Sequence, residues 1–485
     1  MRSVLLGLGC VMFIAAFAPY NDFALNNTFF IGNHFPVGVT LLMCLLVLAM
    51  NPLLGCVNRN APLHSGELIT VWSMCLVGAA FPTSGLLRPL IPLLAAPIYM
   101  LPQQPHWEPV LDFLPQWMFP TTNPDNDRIV TQFFLGSEPD QPAAVPWGPW
   151  VKALSLWALY FVPFYAGVLL LSILFSRQWI ENEKLQYPIA SVMLEMVRDA
   201  PPGRRLNALF SDRGMWTAAV VVMAIHLING LHTYFPKVPP IPLHYDLGAF
   251  TTEGMWDHLM TDLKINGVYF SMVGIAFLMA AEVALSLWLM VVIYGVAMGA
   301  FLYHGINPWE AMRSQSYGAM LAMGAFLLYL ARAHLWRTFR IAFGPARDEE
   351  DRRVLPYRWV VRGLIGCVVC CVAWLCAAGM SLPVAVAQIV LVYLMYLVMS
   401  RLVAETGLFF VQPRMWTEHL FPLIAPRALS PKNYALVVKT VYATFHPRET
   451  LMPFAFNALR MSYETQRGQG ESTDVAAPVR RSFLG

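Results

Sequence analysis

Apolar residues along this chain gather into long unbroken runs rather than alternating or recurring once per helical turn. A helix needs about 20 mostly apolar residues to cross the hydrocarbon of a bilayer. Runs at 4–20, 37–54, 68–82, 151–175, 216–235, 266–281, 283–303, 317–330, 363–380 and 383–399 predict ten crossings. A further apolar stretch, 86–101, carries Pro89, Pro92 and Pro97. Proline removes a backbone donor and clashes with the preceding turn, so this stretch is expected to be a broken, re-entrant or interfacial segment. The predicted fold is all-α, a polytopic transmembrane helix bundle of about ten spans plus that segment. It divides into a bundle over 1–412 and a C-terminal segment over 413–485 without a clear span. The latter is expected to be cytoplasmic or interfacial, with a polar, disordered tail at "TQRGQGESTDVAAP".

Composition agrees. Of the 485 residues 57% are apolar and 13% charged, against about 25% charged in soluble proteins. So little charge cannot cover a water-facing surface of this size, and it excludes disorder and a nucleic-acid-binding surface. The net charge of +3 is small, and its placement is more informative. Arg177, Lys184, Arg198, Arg204, Arg205 and Arg213 fill one loop (176–215). Arg332, Arg337, Arg340, Arg347, Arg352, Arg353, Arg358 and Arg362 fill or flank another (331–362). Basic loops stay cytoplasmic. The loop 102–150 carries Glu108, Asp112, Asp125, Asp127, Glu138 and Asp140 against Arg128, and is expected outside as an aromatic-rich cap at the interface. Alternation then requires two spans turning near Glu282 and a cytoplasmic N-terminus. The first span reads as an uncleaved anchor, with a signal peptide ending near Ala16-Phe17-Ala18 as the alternative. The chain stops at "VRRSFLG", which predicts a longer protein with a further span. Seven of the eight cysteines lie within apolar runs and Cys56 at the edge of one; they read as small packing residues, with no zinc-site spacing.

Ionisable groups within spans are costly and therefore the first place to look for chemistry. Glu282, in "FLMAAEVALSLW", is either a wet cytoplasmic turn residue or a buried cation carrier. The lack of Gly or Pro in such a turn favours burial. His226 and Asn229 share a helix face and serve as a relay pair or as interhelical hydrogen bonders. Glu67 suits a helix N-terminus, and Gln388 is expected to join helices. Arg401 and Glu405, four apart, precede Gly407 and the run Leu408–Val411 that ends at Pro413. They mark either a helix broken at membrane depth or an ordinary helix end with a surface ion pair. Pro188 is placed to begin an amphipathic helix on the cytoplasmic side. No P-loop, zinc-protease or nucleophile-elbow motif occurs.

Three segments carry a resemblance. "NEKLQYPIASVMLEM" (182–196), "RLVAETGLFF" (401–410) and "VGIAFLMAAEVALSLWL" (273–289) resemble segments of the oligopeptide transporter superfamily. Together with "YNDFALNNTFFIGNHFPVGV" they are similar to an uncharacterised bacterial membrane family related to it. The "NPGPF" signature of eukaryotic peptide carriers is absent. The resemblance implies a proton-coupled secondary transporter of a small polar solute, such as a peptide or metal chelate, in a bacterial cytoplasmic membrane. No cofactor, metal or nucleic acid is expected, and assembly as a homo-oligomer stays open. The solute or ion pathway is expected at Glu282, His226, Asn229, Arg401 and Glu405, with no catalytic residue. The rival reading is a membrane-embedded enzyme acting on a lipid-linked substrate, like a glycosyltransferase, with Asp22 in an external loop and Glu108 and Asp112 capping the site. A non-transporting scaffold subunit is the third.

Overall fold

The computed structural model describes residues 1–485 except 59–60, 124–126, 137–143, 202, 205, 345–354, 412–419, 423–428, 445–447 and 476–485. Asp125, Glu138, Asp140, Arg205, Arg347, Arg352, Arg353 and Pro413 lie outside the described residues, as does the very end of the tail. In lipid no water is at hand to satisfy backbone amides, so an apolar chain pairs them within helices. Among the described residues the helices of nine or more residues are α1 (Arg2–Ala24), α2 (Val37–Val57), α3 (Ser65–Ala79), α4 (Leu87–Tyr99), α5 (Trp147–Asn182), α6 (Pro188–Val197) and α7 (Arg213–Tyr234). They continue with α8 (Phe270–Leu278), α9 (Ala281–Tyr303), α10 (Trp309–Phe343), α11 (Tyr357–Ala377), α12 (Leu382–Thr406), α13 (Pro431–Thr444) and α14 (Leu451–Val475). One small antiparallel pair, β1 (His244–Asp246) and β2 (Ile265–Gly267), lies between α7 and α8. The protein is an all-α, multi-pass membrane bundle.

Among the described residues eight helices are long and apolar enough to span: α1, α2, α5, α7, α9, α10, α11 and α12. The expected third and sixth spans are shorter, 15 residues in α3 and 9 in α8. The chain doubles back between α8 and α9 at Met279–Ala280. Ile275 of α8 lies against Gly407, whereas Gly299 of α9 lies beside His258 in the loop before α8. Pro188 does begin α6, as its fixed φ favours.

Polar contacts define two faces. Arg2 pairs with Glu67 at 2.6 Å, and Ser65 bonds Asp199 at 2.7 and 2.8 Å. His334, near the end of α10, meets the Leu174 carbonyl of α5 at 2.9 Å, and Arg362 donates to the Ala342 carbonyl. Both basic loops therefore end on one face, called here the basic face. On the opposite, loop face, Trp117 packs edge-on against Trp374, and Trp157 donates to the Met118 carbonyl at 3.0 Å. These contacts seat the aromatic loop on the bundle.

The largest departure from expectation concerns 413–485. Within it α13 and α14 are core elements rather than a peripheral segment: Leu436, Val437, Val441, Met452, Phe454 and Met461 are fully buried, and helix continues through Val475. Their polar residues hide this in the sequence. Asn433, Lys439, Thr440, Thr444, Glu449 and Asn457 are buried too, with partners inside the fold. Lys439 reaches the Leu93 carbonyl of α4, the acceptor left free because Pro97, four residues on, has no N–H. Its ammonium also sits 4.4 Å from the centroid of Phe119.

Candidate functional site

Two of these helix pairs run through the bundle in opposite directions, each broken at its middle. α3 leaves the basic face in parallel with α1, with Gly7 against Met74 and Val11 against Gly78. It stops at Ala79; after the turn at 80–86, α4 continues to the loop face, where Tyr99 stacks on Phe134. α13 starts beside Ser381 on the loop face, where Asn433 accepts the Ser381 amide at 2.9 Å. It stops at Thr444. α14 then carries the chain to the basic face, with Phe456 stacked on Trp179 at 4.3 Å and Arg460 over Tyr187.

The depth of the breaks is fixed by two tyrosines. Tyr165 lies halfway along α5 and donates to the Gly85 carbonyl at 3.3 Å. Tyr396, near the middle of α12, donates to the Thr444 carbonyl. The two phenols also interact with each other. Helix ends leave carbonyls without intrahelical donors, and each break thus has one carbonyl supplied with a hydroxyl from the midpoint of a spanning helix.

Glu449 joins the breaks. It is 0% exposed. Its Oε2 accepts from Thr83 Oγ1 at 2.5 Å and from the Gly85 amide at 3.1 Å, while Oε1 accepts from the Gly32 amide at 2.9 Å. Gly85 permits this approach: a Cβ there would lie 1.9 Å from the Ala80 carbonyl oxygen and 2.8 Å from that of Glu449. The same loop holds Asp22, whose Oδ1 accepts from Phe30 N at 2.8 Å and Asn21 Nδ2 at 2.9 Å. Asp22 is close enough to repel the Glu449 carboxylate. Arg88 and Arg448 both lie against the Phe29 ring, 5.1 and 5.4 Å from its centroid. Among the described residues no three His, Cys, Asp or Glu side chains converge as a metal-binding group.

A second polar cluster lies on the basic face. Arg401 is buried, pairs with Glu183 and with Glu405 (3.1 Å), and covers Trp179 at 5.6 Å. Gly407, at φ +70°, caps α12 in a left-handed turn, where a Cβ would meet Pro188 at 2.7 Å. Tyr187 also takes a left-handed φ of +48°, and its amide bonds the Ala404 carbonyl at 2.9 Å. Burial pushes the Tyr187 phenol up, opposed by Arg401 and Arg460. Of the alternatives at Gly407, the helix end is therefore realised, with Glu405 partly exposed and a second, more buried partner for Arg401 in Glu183.

The remaining expected residues lie elsewhere. Glu282 is exposed in the first turn of α9, at the hairpin, so the turn forms without Gly or Pro and the carboxylate is not buried. His226 is exposed and meets Phe270 edge-on. Asn229 pins the loop after α7 by bonding both the amide and the carbonyl of Ile241. No residue of α7 is buried. The structure brings Arg401 and Glu405 together but joins neither Glu282, His226 nor Asn229 to them. Asp22 is not in an external loop: it is 5% exposed, within the bundle. Glu108 and Asp112 are exposed and, among the described residues, share no hydrogen bond or ion pair with it. Gln388, expected to join helices, is fully buried with no hydrogen-bond partner for its amide among the described residues. Glu67 does sit at a helix N-terminus, in a reciprocal cap with His64.

The sequence matches, over residues 1–476, a family described as Family of unknown function (DUF6785). The chain belongs to this family. No curated protein and no solved structure matches it. In this member of the family two interrupted helices cross around a buried glutamate. Glu449, Thr83, Gly85 and Glu183 were not singled out in the sequence. The turn-forming run "FPTSG" (81–85) between two apolar stretches was the available signal for the first break.

Proposed function

We propose that this DUF6785 protein is a secondary transporter that moves a small polar solute past the point where the two interrupted helices meet, driven by a cation gradient. The observation that carries the reading is Glu449, a buried carboxylate that ties the break at 80–86 to the break before α14. Interrupted helices at mid-bundle present backbone groups to polar solutes and ions without exposing them to lipid. Antiparallel pairing of the two interruptions also suits alternating access, since each half of either pair leads to a different face. The three segments that resemble oligopeptide transporters support the same reading. They converge on the basic face, where Arg401 meets Glu183 and Gly407 meets both Pro188 and Ile275. Peptides and metal chelates are accordingly the first solutes to test, and the basic-face ion pairs form the gate on that side.

Purified protein in liposomes is expected to accumulate a solute from such a panel when a pH or sodium gradient is imposed. Glu449→Gln should abolish the accumulation and Glu282→Gln should leave it unchanged. Wild-type protein that moves nothing across the panel under either gradient would contradict the proposal.

A further inference from the structure

We propose that a cleft on the loop face seats a zwitterionic phospholipid, with an acyl chain inside the cleft and the phosphate on Arg128. This site stands whether or not the protein transports. Among the described residues the cleft is walled by Ile91 of α4, by Trp147, Trp150 and Leu154 of α5, and by Arg128 and Phe133 of the helical segment 127–135. It holds a volume of about 330 Å³, at the low end for small-ligand cavities. The helix breaks are elsewhere: Leu154 is roughly 16 Å along α5 from Tyr165. Water does not fill an apolar cavity of this kind, and leaving it empty forfeits the contacts of its walls.

Depth and charge identify the occupant. On this face α5 begins at Trp147 and α4 ends at Tyr99. Leu154 and Ile91 stand roughly 10 to 12 Å inward from those helix ends, within the hydrocarbon. The shallow end holds Trp147 and Phe133, both exposed, and Trp favours the headgroup level. Trp150 donates to the Ile129 carbonyl at 3.2 Å, which holds Arg128 level with the first turn of α5. The cleft therefore runs from headgroup depth into hydrocarbon, as an acyl chain does and a polar solute does not. Arg128 is exposed and makes no hydrogen bond or ion pair among the described residues. A guanidinium matches the oxygens of a phosphate. It is the one Lys or Arg of the loop 102–150, where acidic residues outnumber it six to one. A lipid of net negative charge would be opposed by that field. A zwitterionic one, such as phosphatidylethanolamine, sets its phosphate on Arg128 and brings its ammonium to an acidic loop.

The test is native mass spectrometry of the full-length protein, delipidated in detergent and titrated with phosphatidylethanolamine or phosphatidylglycerol. Phosphatidylethanolamine should bind saturably and more tightly than phosphatidylglycerol. Arg128→Gln should weaken its apparent affinity about fivefold, the upper end for an exposed ion pair. Leu154→Trp, which fills the deep end of the cleft, should remove the bound lipid. Glycerophosphoethanolamine, a head group without chains, should not compete. Arg128 is exposed, so Arg128→Gln folds, and an unchanged affinity in that variant overturns the proposal. So does phosphatidylglycerol binding as tightly as phosphatidylethanolamine, displacement by the chainless head group, or lipid retained by a folded Leu154→Trp variant. A lipid-free dimer that Leu154→Trp dissociates would give the cleft to a second copy of the chain and overturn it as well.

Discussion

Glu449→Ala is expected to unfold the protein or nearly so. The side chain takes three donors from two separate segments, Gly32 N, Thr83 Oγ1 and Gly85 N. Removing it leaves them buried and unpaired at about 1–3 kcal/mol each, a total on the order of 5 kcal/mol and comparable to the whole stability of a typical domain. Glu449→Gln should fold, because one amide oxygen still accepts. The new NH₂ then faces a donor, so part of the loss remains. Unfolding in detergent with increasing denaturant measures both variants, and alanine and wild type melting together would show that Glu449 does not hold the breaks.

The second large effect is expected at Gly85. Its backbone is of an ordinary kind, so space rather than conformation demands glycine. An alanine Cβ would lie 1.9 Å from the Ala80 carbonyl oxygen. The turn would have to open, and opening moves the Gly85 amide away from Glu449. Gly85→Ala should cost at least about 3 kcal/mol, in the range of severe core defects, and should abolish flux. Gly9→Ala and Gly274→Ala meet nothing within 4 Å and should stay within about 0.5 kcal/mol of wild type. Melting temperatures of the three variants side by side would reveal any generic intolerance of alanine.

Much of the architecture was legible in the chain because lipid makes a simple demand: long apolar runs become long helices. The eight long helices each correspond to an expected run. The site was hard to see for the opposite reason. Glu449 stands in "TFHPRETLMPF", which by composition resembles a wet loop. Nothing local says that Thr83 and Gly85, more than 360 residues earlier, supply its partners. Lys439 and Asn433 likewise depress the hydropathy of α13, and their compensation comes from the Leu93 and Ser381 backbones. Glu282 misled for a related reason: its apolar neighbours suggested burial, but they belong to two helices that part at Met279–Ala280. Arg401 was visible because its partner Glu405 is one turn away, whereas its second partner, Glu183, comes from a distant segment.

The account stands on the breaks being a point inside the membrane that water and solute can reach. Ser84, between Thr83 and Gly85 and 1% exposed, is the place to measure this. With the eight native cysteines replaced, Ser84→Cys in sealed vesicles of each orientation would be treated with a membrane-impermeant thiol reagent. The account predicts modification from at least one side, slowed by a transported solute. A folded protein whose Cys at that position stays unmodified from both sides would contradict it.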